Sequence, residues 1–82
     1  MEIDEKIEIL EKKYLINIIY GHYNIGLKFN HKLYEIYFRV YKFSNGKIKK
    51  DIGWKLNELF KQFLNIESII DTQQNKSQEE NN

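Results

Sequence analysis

Between Tyr23 and Tyr41 apolar and polar residues alternate almost without interruption, and no other feature of the chain restricts its fold so strongly. In YNIGLKF, Tyr23, Ile25, Leu27 and Phe29 alternate with Asn24, Gly26 and Lys28. In LYEIYFRVYKF, Tyr34, Ile36, Phe38 and Val40 alternate with Glu35, Tyr37, Arg39 and Tyr41. A period of two is the pattern of strands with one buried face. A turn at His31-Lys32 pairs Phe29 with Tyr34, Leu27 with Ile36, Ile25 with Phe38 and Tyr23 with Val40. The same register sets Lys28 against Glu35, Gly26 against Tyr37 and Asn24 against Arg39. A slip by one residue would destroy the apolar matching and the Lys–Glu pair together, so the register predicts a β-hairpin. Ser44-Asn45-Gly46-Lys47 then reads as a type I′ turn into a short third strand, with Phe43 opposite Ile48.

The flanks carry helical spacing. Ile3, Ile7, Leu10 and Tyr14 recur at steps of four, three and four, with Asp4 as N-cap and Glu8–Lys12 as a favourable i,i+4 pair. From Tyr14 to Tyr20 two readings stand. A continued helix would stop at Gly21, whereas a strand would turn at Gly21-His22. At the other end Ile52, Leu56, Leu59, Phe60, Phe63 and Ile66 form a helical stripe, with Asp51 as N-cap and Ile70 as an extension. The sequence from Thr72 onward, TQQNKSQEENN, lacks apolar residues and reads as disordered. These segments predict an α+β two-layer sandwich: an antiparallel sheet of three to four strands, with an N-terminal and a C-terminal helix packed on one face. Residues 1–70 form the single compact domain and residues 71–82 a disordered polar tail.

With 82 residues and no cysteine, such a domain must be stabilised by burial, without disulfides or thiolate metal sites. A partner subunit would add to that burial, and a homodimer is the expected state. No apolar run approaches the roughly eighteen residues of a membrane span. The acidic start MEIDEKIEILEKK is the reverse of a secretory signal, which predicts a soluble, cytoplasmic protein. There is no Ser-centred elbow, Gly-rich phosphate loop or closely spaced carboxylate pair, so neither catalysis nor a cofactor is expected. His22 and His31 lack metal-ligand company.

Charge is segregated. Residues 12–61 hold eleven Lys and Arg against three acids (Glu35, Asp51, Glu58), and both ends of the chain are acidic. All twelve aromatic residues lie between Tyr14 and Phe63. Basic charge interleaved with rings is what phosphate attraction and base stacking require. The absence of Pro and Ala and the abundance of Ile, Lys, Asn and Tyr suit an AT-rich genome, so placement of the lysines counts for more than their number. On the expected sheet Tyr37, Arg39 and Tyr41 share the outer face with Lys28, two rings flanking a guanidinium. The same residues could instead be ordinary sheet surface or a dimer interface. Lys47, Lys49, Lys50 and Lys55 gather on the third strand and the start of the last helix, where phosphate is favoured. Trp54 falls off the core stripe beside them, either as an interaction anchor or packed against a loop or the N-terminal helix.

The helix–sheet–helix order, the His-bearing loop Asn30-His31-Lys32 and the lysines at 49, 50 and 55 resemble the double-stranded-RNA-binding domain over roughly residues 3–66. That resemblance implies a loop entering a minor groove, through His31 and Lys32, and lysines on phosphates. The chain departs from the family in lacking its tight basic cluster within the helix and its Gly-Pro loop context. The leading expectation is a non-catalytic nucleic-acid-binding protein, for DNA or RNA. The alternative is a small adaptor or inhibitor, of the kind phages and mobile elements encode, that binds a partner protein through exposed Tyr and Trp.

Overall fold

The computed structural model describes residues 2–80, which form three helices: α1 (Ile3–Ile19), α2 (Tyr23–Phe43) and α3 (Gly46–Glu80). Helix α1 follows the spacing of its apolar residues. Leu10 and Tyr14 are buried and Ile7 packs against them, while Asp4 and Glu5 occupy the first turn, where the helix dipole favours acids. Asp4 is therefore inside the helix, and Glu2 takes the N-cap position without a side-chain bond. Glu8 and Lys12 pair at 3.3 Å. Over residues 14–20 the helical alternative holds. At the stop, Gly21 has φ +76°, its N–H donates to the Ile18 carbonyl (3.1 Å), and the His22 N–H donates to the Asn17 carbonyl (2.8 Å). This pair of bonds is a Schellman ending, in which glycine meets no Cβ penalty.

The expected α+β sandwich is wrong: there is no strand among the described residues, and the span read as a hairpin is one 21-residue helix. Two periodicities coexist in this span, and the helical one prevails. Lys28, Lys32, Glu35, Arg39 and Lys42 follow steps of four, three, four and three, and all are exposed. Gly26, Asn30, Leu33, Tyr37 and Val40 follow the same steps on the other side, and all are buried or half-buried. A helix puts each set on its own face, whereas a strand would scatter both. The wide inward face of α2 is covered from two sides, because α2 packs on both α1 and α3.

The expected hairpin turn survives only as a helix connection. Ser44 and Asn45 join α2 to α3, and Gly46 supplies the positive φ (+61°). The Ser44 hydroxyl donates to the Val40 carbonyl (2.6 Å) and its N–H to the Tyr41 carbonyl (3.3 Å), satisfying acceptors that the end of α2 leaves free. Because α3 begins at Gly46, Asp51 lies within it and does not cap it. The resemblance to the double-stranded-RNA-binding domain falls with the sheet, since Asn30-His31-Lys32 lies in the middle of α2. Helix α3 also continues through residues 71–80, where a disordered tail is expected, and residues 81–82 lie outside the described part. At about 1.5 Å per residue, its 35 residues account for the longest dimension of the molecule, 54 Å.

The core is small and shared by all three helices: Leu10 and Tyr14 from α1, Leu33 from α2, Leu59 and Ile66 from α3. A polar knot sits inside it. Asn30, 3% exposed, donates to the Tyr14 hydroxyl (3.2 Å) and to the Leu59 main-chain carbonyl (3.0 Å). The Tyr14 hydroxyl in turn donates to Gln62 Oε1 (2.8 Å). Burial raises the Tyr14 pKa above its ordinary value, with the Asn30 bond opposing that shift. Nearby, α1 and α2 approach closely at Gly26, where an added Cβ would collide with the Ile18 Cδ1 and lie 3.3 Å from its Cγ1.

Candidate nucleic-acid interface

Where the end of α2 meets the start of α3, the two helices leave an open hollow of about 500 Å³. Tyr41 from α2 and Lys49, Lys50, Trp54 and Asn57 from α3 line it, with Gly46 and Gly53 between them. The local sequence explains the opening. Glycines at 46 and 53 remove side chains from α3 where it faces Tyr41, and a Cβ at 53 would only just touch the ring, 3.5 Å from Cε2. Lys49 lays its Nζ 4.8 Å from the Tyr41 ring centroid, a cation–π contact. Trp54 stands free, 64% exposed. No acidic side chain lines the hollow. It therefore combines an exposed indole, a phenol ring and two ammonium groups beside the first turns of α3, where main-chain N–H groups add positive potential.

Of the residues singled out in the sequence, Tyr41, Lys49, Lys50 and Trp54 thus come together. Lys47 is exposed on the first turn of α3, outside the lining. Lys55 lies on another side of α3, in a hollow shared with Glu11, Glu58 and Tyr37. Lys28, Lys32 and Arg39 are exposed on the outer face of α2, and His31 is exposed at the edge of that face toward α3, its Nε2 3.0 Å from Glu35 Oε1. The trio Tyr37, Arg39 and Tyr41 is split by the helix. Arg39 points outward, and Tyr37 turns to α1 and donates to Glu11 Oε1 (2.6 Å). Burial, the bond to Glu11 and the Glu11 charge all hold the Tyr37 hydroxyl well above the ordinary tyrosine range, so it stays a neutral donor tying α1 to α2.

Sequence reasoning missed Asn57, Gly46 and Gly53 as parts of the site. Asn57 was within reach of it, because position 57 lies three residues after Trp54 on the same side of a helix. The glycines were not, since their importance depends on Tyr41 lying opposite. A second hollow, of about 240 Å³, opens further along the α2–α3 seam among Asn30, His31, Tyr34, Phe60 and Phe63. Among the described residues no three His, Asp or Glu side chains gather as a metal site would need, and no helix is long and apolar enough to cross a membrane. Compared with known proteins, the chain matches no family model, no curated protein and no solved structure.

Proposed function

We propose that this chain is a non-catalytic protein that binds single-stranded nucleic acid, DNA or RNA, in the hollow between α2 and α3. The observation that carries this reading is the convergence of Trp54, Tyr41, Lys49 and Lys50 on one acid-free opening. A base stacks on the exposed indole and its flanking phosphates meet the two ammonium groups, a pairing that tolerates any sequence. Single strands are favoured over duplex because a base within a duplex offers no free face to an indole.

Titrating the protein with labelled single-stranded and duplex oligonucleotides, at low and at physiological salt, tests this. Single strands are expected to quench Trp54 and to bind more weakly as salt rises, by counterion release. Lys49→Ala with Lys50→Ala should reduce the salt slope by about one per lysine that contacts phosphate. Trp54→Ala should cost about 1–3 kcal/mol of binding. Absence of binding even at low salt would remove this function. A second reading, capture of a partner protein, draws on a different surface: Ile9, Ile16 and Ile19 of α1 and Tyr20 just after it are exposed. Such binding would be far less sensitive to salt.

A further inference from the structure

The second hollow is placed to continue the first. Tyr41 and Gly53 face each other across the first; Tyr34 and Phe60, each seven residues away along its own helix, line the second. Seven residues are two helical turns, about 10 Å, so both helices repeat the arrangement with the same displacement. The two hollows open on the same side of the α2–α3 pair. The α1 side of that pair is lined instead by Lys55, Glu58 and Gln62 together with Glu11 and Tyr14. Between the hollows Phe38 is stacked on Tyr34 at 6.4 Å, with its other neighbour, the Lys42 Nζ, 4.8 Å from the Phe38 ring centroid. Phe60, which the helical stripe places toward the core, is instead 51% exposed. Exposed cations lie at the first hollow (Lys50) and beside Phe38 (Lys42); the second hollow has no Lys or Arg in its lining, and the His31 Nε2 there is 3.0 Å from Glu35 Oε1.

Resting on the nucleic-acid reading above, we propose that the Phe60 hollow is a second base subsite, so that one strand runs along the α2–α3 seam from Trp54 to Phe60. Lys49 and Lys50 at the first hollow and Lys42 beside Phe38 between the two favour a polyanion, and the rings of the second hollow favour one with free base faces. At about 3.4 Å of rise per stacked nucleotide, 10 Å corresponds to three steps. A tetranucleotide therefore reaches both subsites, and a dinucleotide fills only one.

Oligothymidylates of two, four and eight nucleotides, bound to the full chain, distinguish the possibilities. In wild type, affinity should rise sharply between two and four nucleotides. Phe60→Ala should weaken the octamer about ten-fold and leave Trp54 quenching by the dinucleotide unchanged. Because Phe60→Ala could loosen the bundle, a second variant reads the subsite directly. In Trp54→Phe/Phe60→Trp both rings are retained, and the new indole should be quenched by the tetramer and octamer. If Phe60→Ala binds the octamer like wild type, or if the indole at position 60 ignores it while wild-type Trp54 is quenched, the second subsite is overturned and the Trp54 site stands. If wild type binds no oligonucleotide at low salt, the nucleic-acid reading fails and this subsite fails with it.

Discussion

Asn30 is the residue on which the three helices agree. Its amide N–H groups reach an α1 hydroxyl and an α3 main-chain carbonyl, and at 3% exposure it has almost no water to exchange them for. A buried amide costs free energy unless both donors find acceptors, so only one alignment of the helices satisfies it. Asn30→Ala removes both bonds and leaves a void, and is expected to lower stability by about 2–3 kcal/mol in denaturant titration. Asn30→Leu combined with Tyr14→Phe removes both ends of one bond and fills the space. The double variant should lose less than the sum of the singles, because the Asn30–Tyr14 bond is lost in each single and can be lost only once. Nothing local marks Asn30 as internal. It sits between Phe29 and His31 in the stretch that reads as a hairpin tip, and a turn asparagine looks the same in sequence.

At the scale of elements, the α1–α2 contact depends on one missing side chain. Gly26 is buried in the first turn of α2, where glycine still costs up to about 1 kcal/mol relative to alanine, and it stands at the point where Ile18 of α1 comes closest. Gly26→Ala should destabilise the protein because the new methyl meets the Ile18 Cδ1. Ile18→Val deletes that carbon. In the Ile18→Val background Gly26→Ala should become neutral or stabilising, by up to about 1 kcal/mol, and thermal melts of the four proteins in the cycle measure the coupling. The helical spacing of the flanks was legible because its cause is local, but their ends were not: Asp4 and Asp51 both lie inside helices instead of capping them. Gly21 terminates α1, and Leu56, Leu59, Phe63 and Ile66 face the core along α3 as their spacing implies. The identity of the central element was not legible either. Tyr, Ile, Phe and Val favour strands, yet that preference reflects packing context more than the backbone itself. Here the context is a helix on either side, and the four–three spacing of Lys28, Lys32, Glu35, Arg39 and Lys42 is the sequence signal that agrees with it.

For the molecule as a whole, connectivity has a kinetic consequence. Each helix packs on its neighbour in the chain, α1 on α2 and α2 on α3, through two-residue or three-residue connections. Contacts this local predict folding in a single exponential phase in the microsecond-to-millisecond range. Stopped-flow or temperature-jump refolding checks this; a phase of seconds would point to the slow pairing expected of a sheet. The same connectivity forms the candidate site. The Ser44–Asn45 link folds α3 back along α2, which brings Tyr41 beside Lys49 and Gly53.

By itself the sequence determined the helical spacing of residues 3–14 and 52–66, the Glu8–Lys12 pair and the concentration of cations and rings in the middle of the chain, because each follows from residues within one or two turns. The choice between a helix stop and a strand turn at Gly21 waited for the structure. Only the tertiary structure decided that residues 23–43 form a helix, that Asn30 is buried, and that Tyr37 turns inward while Tyr41 joins Trp54. Those outcomes depend on which surface lies opposite. A segment with two hydrophobic periods takes the one whose buried face finds a partner, and for this chain the partners are α1 and α3.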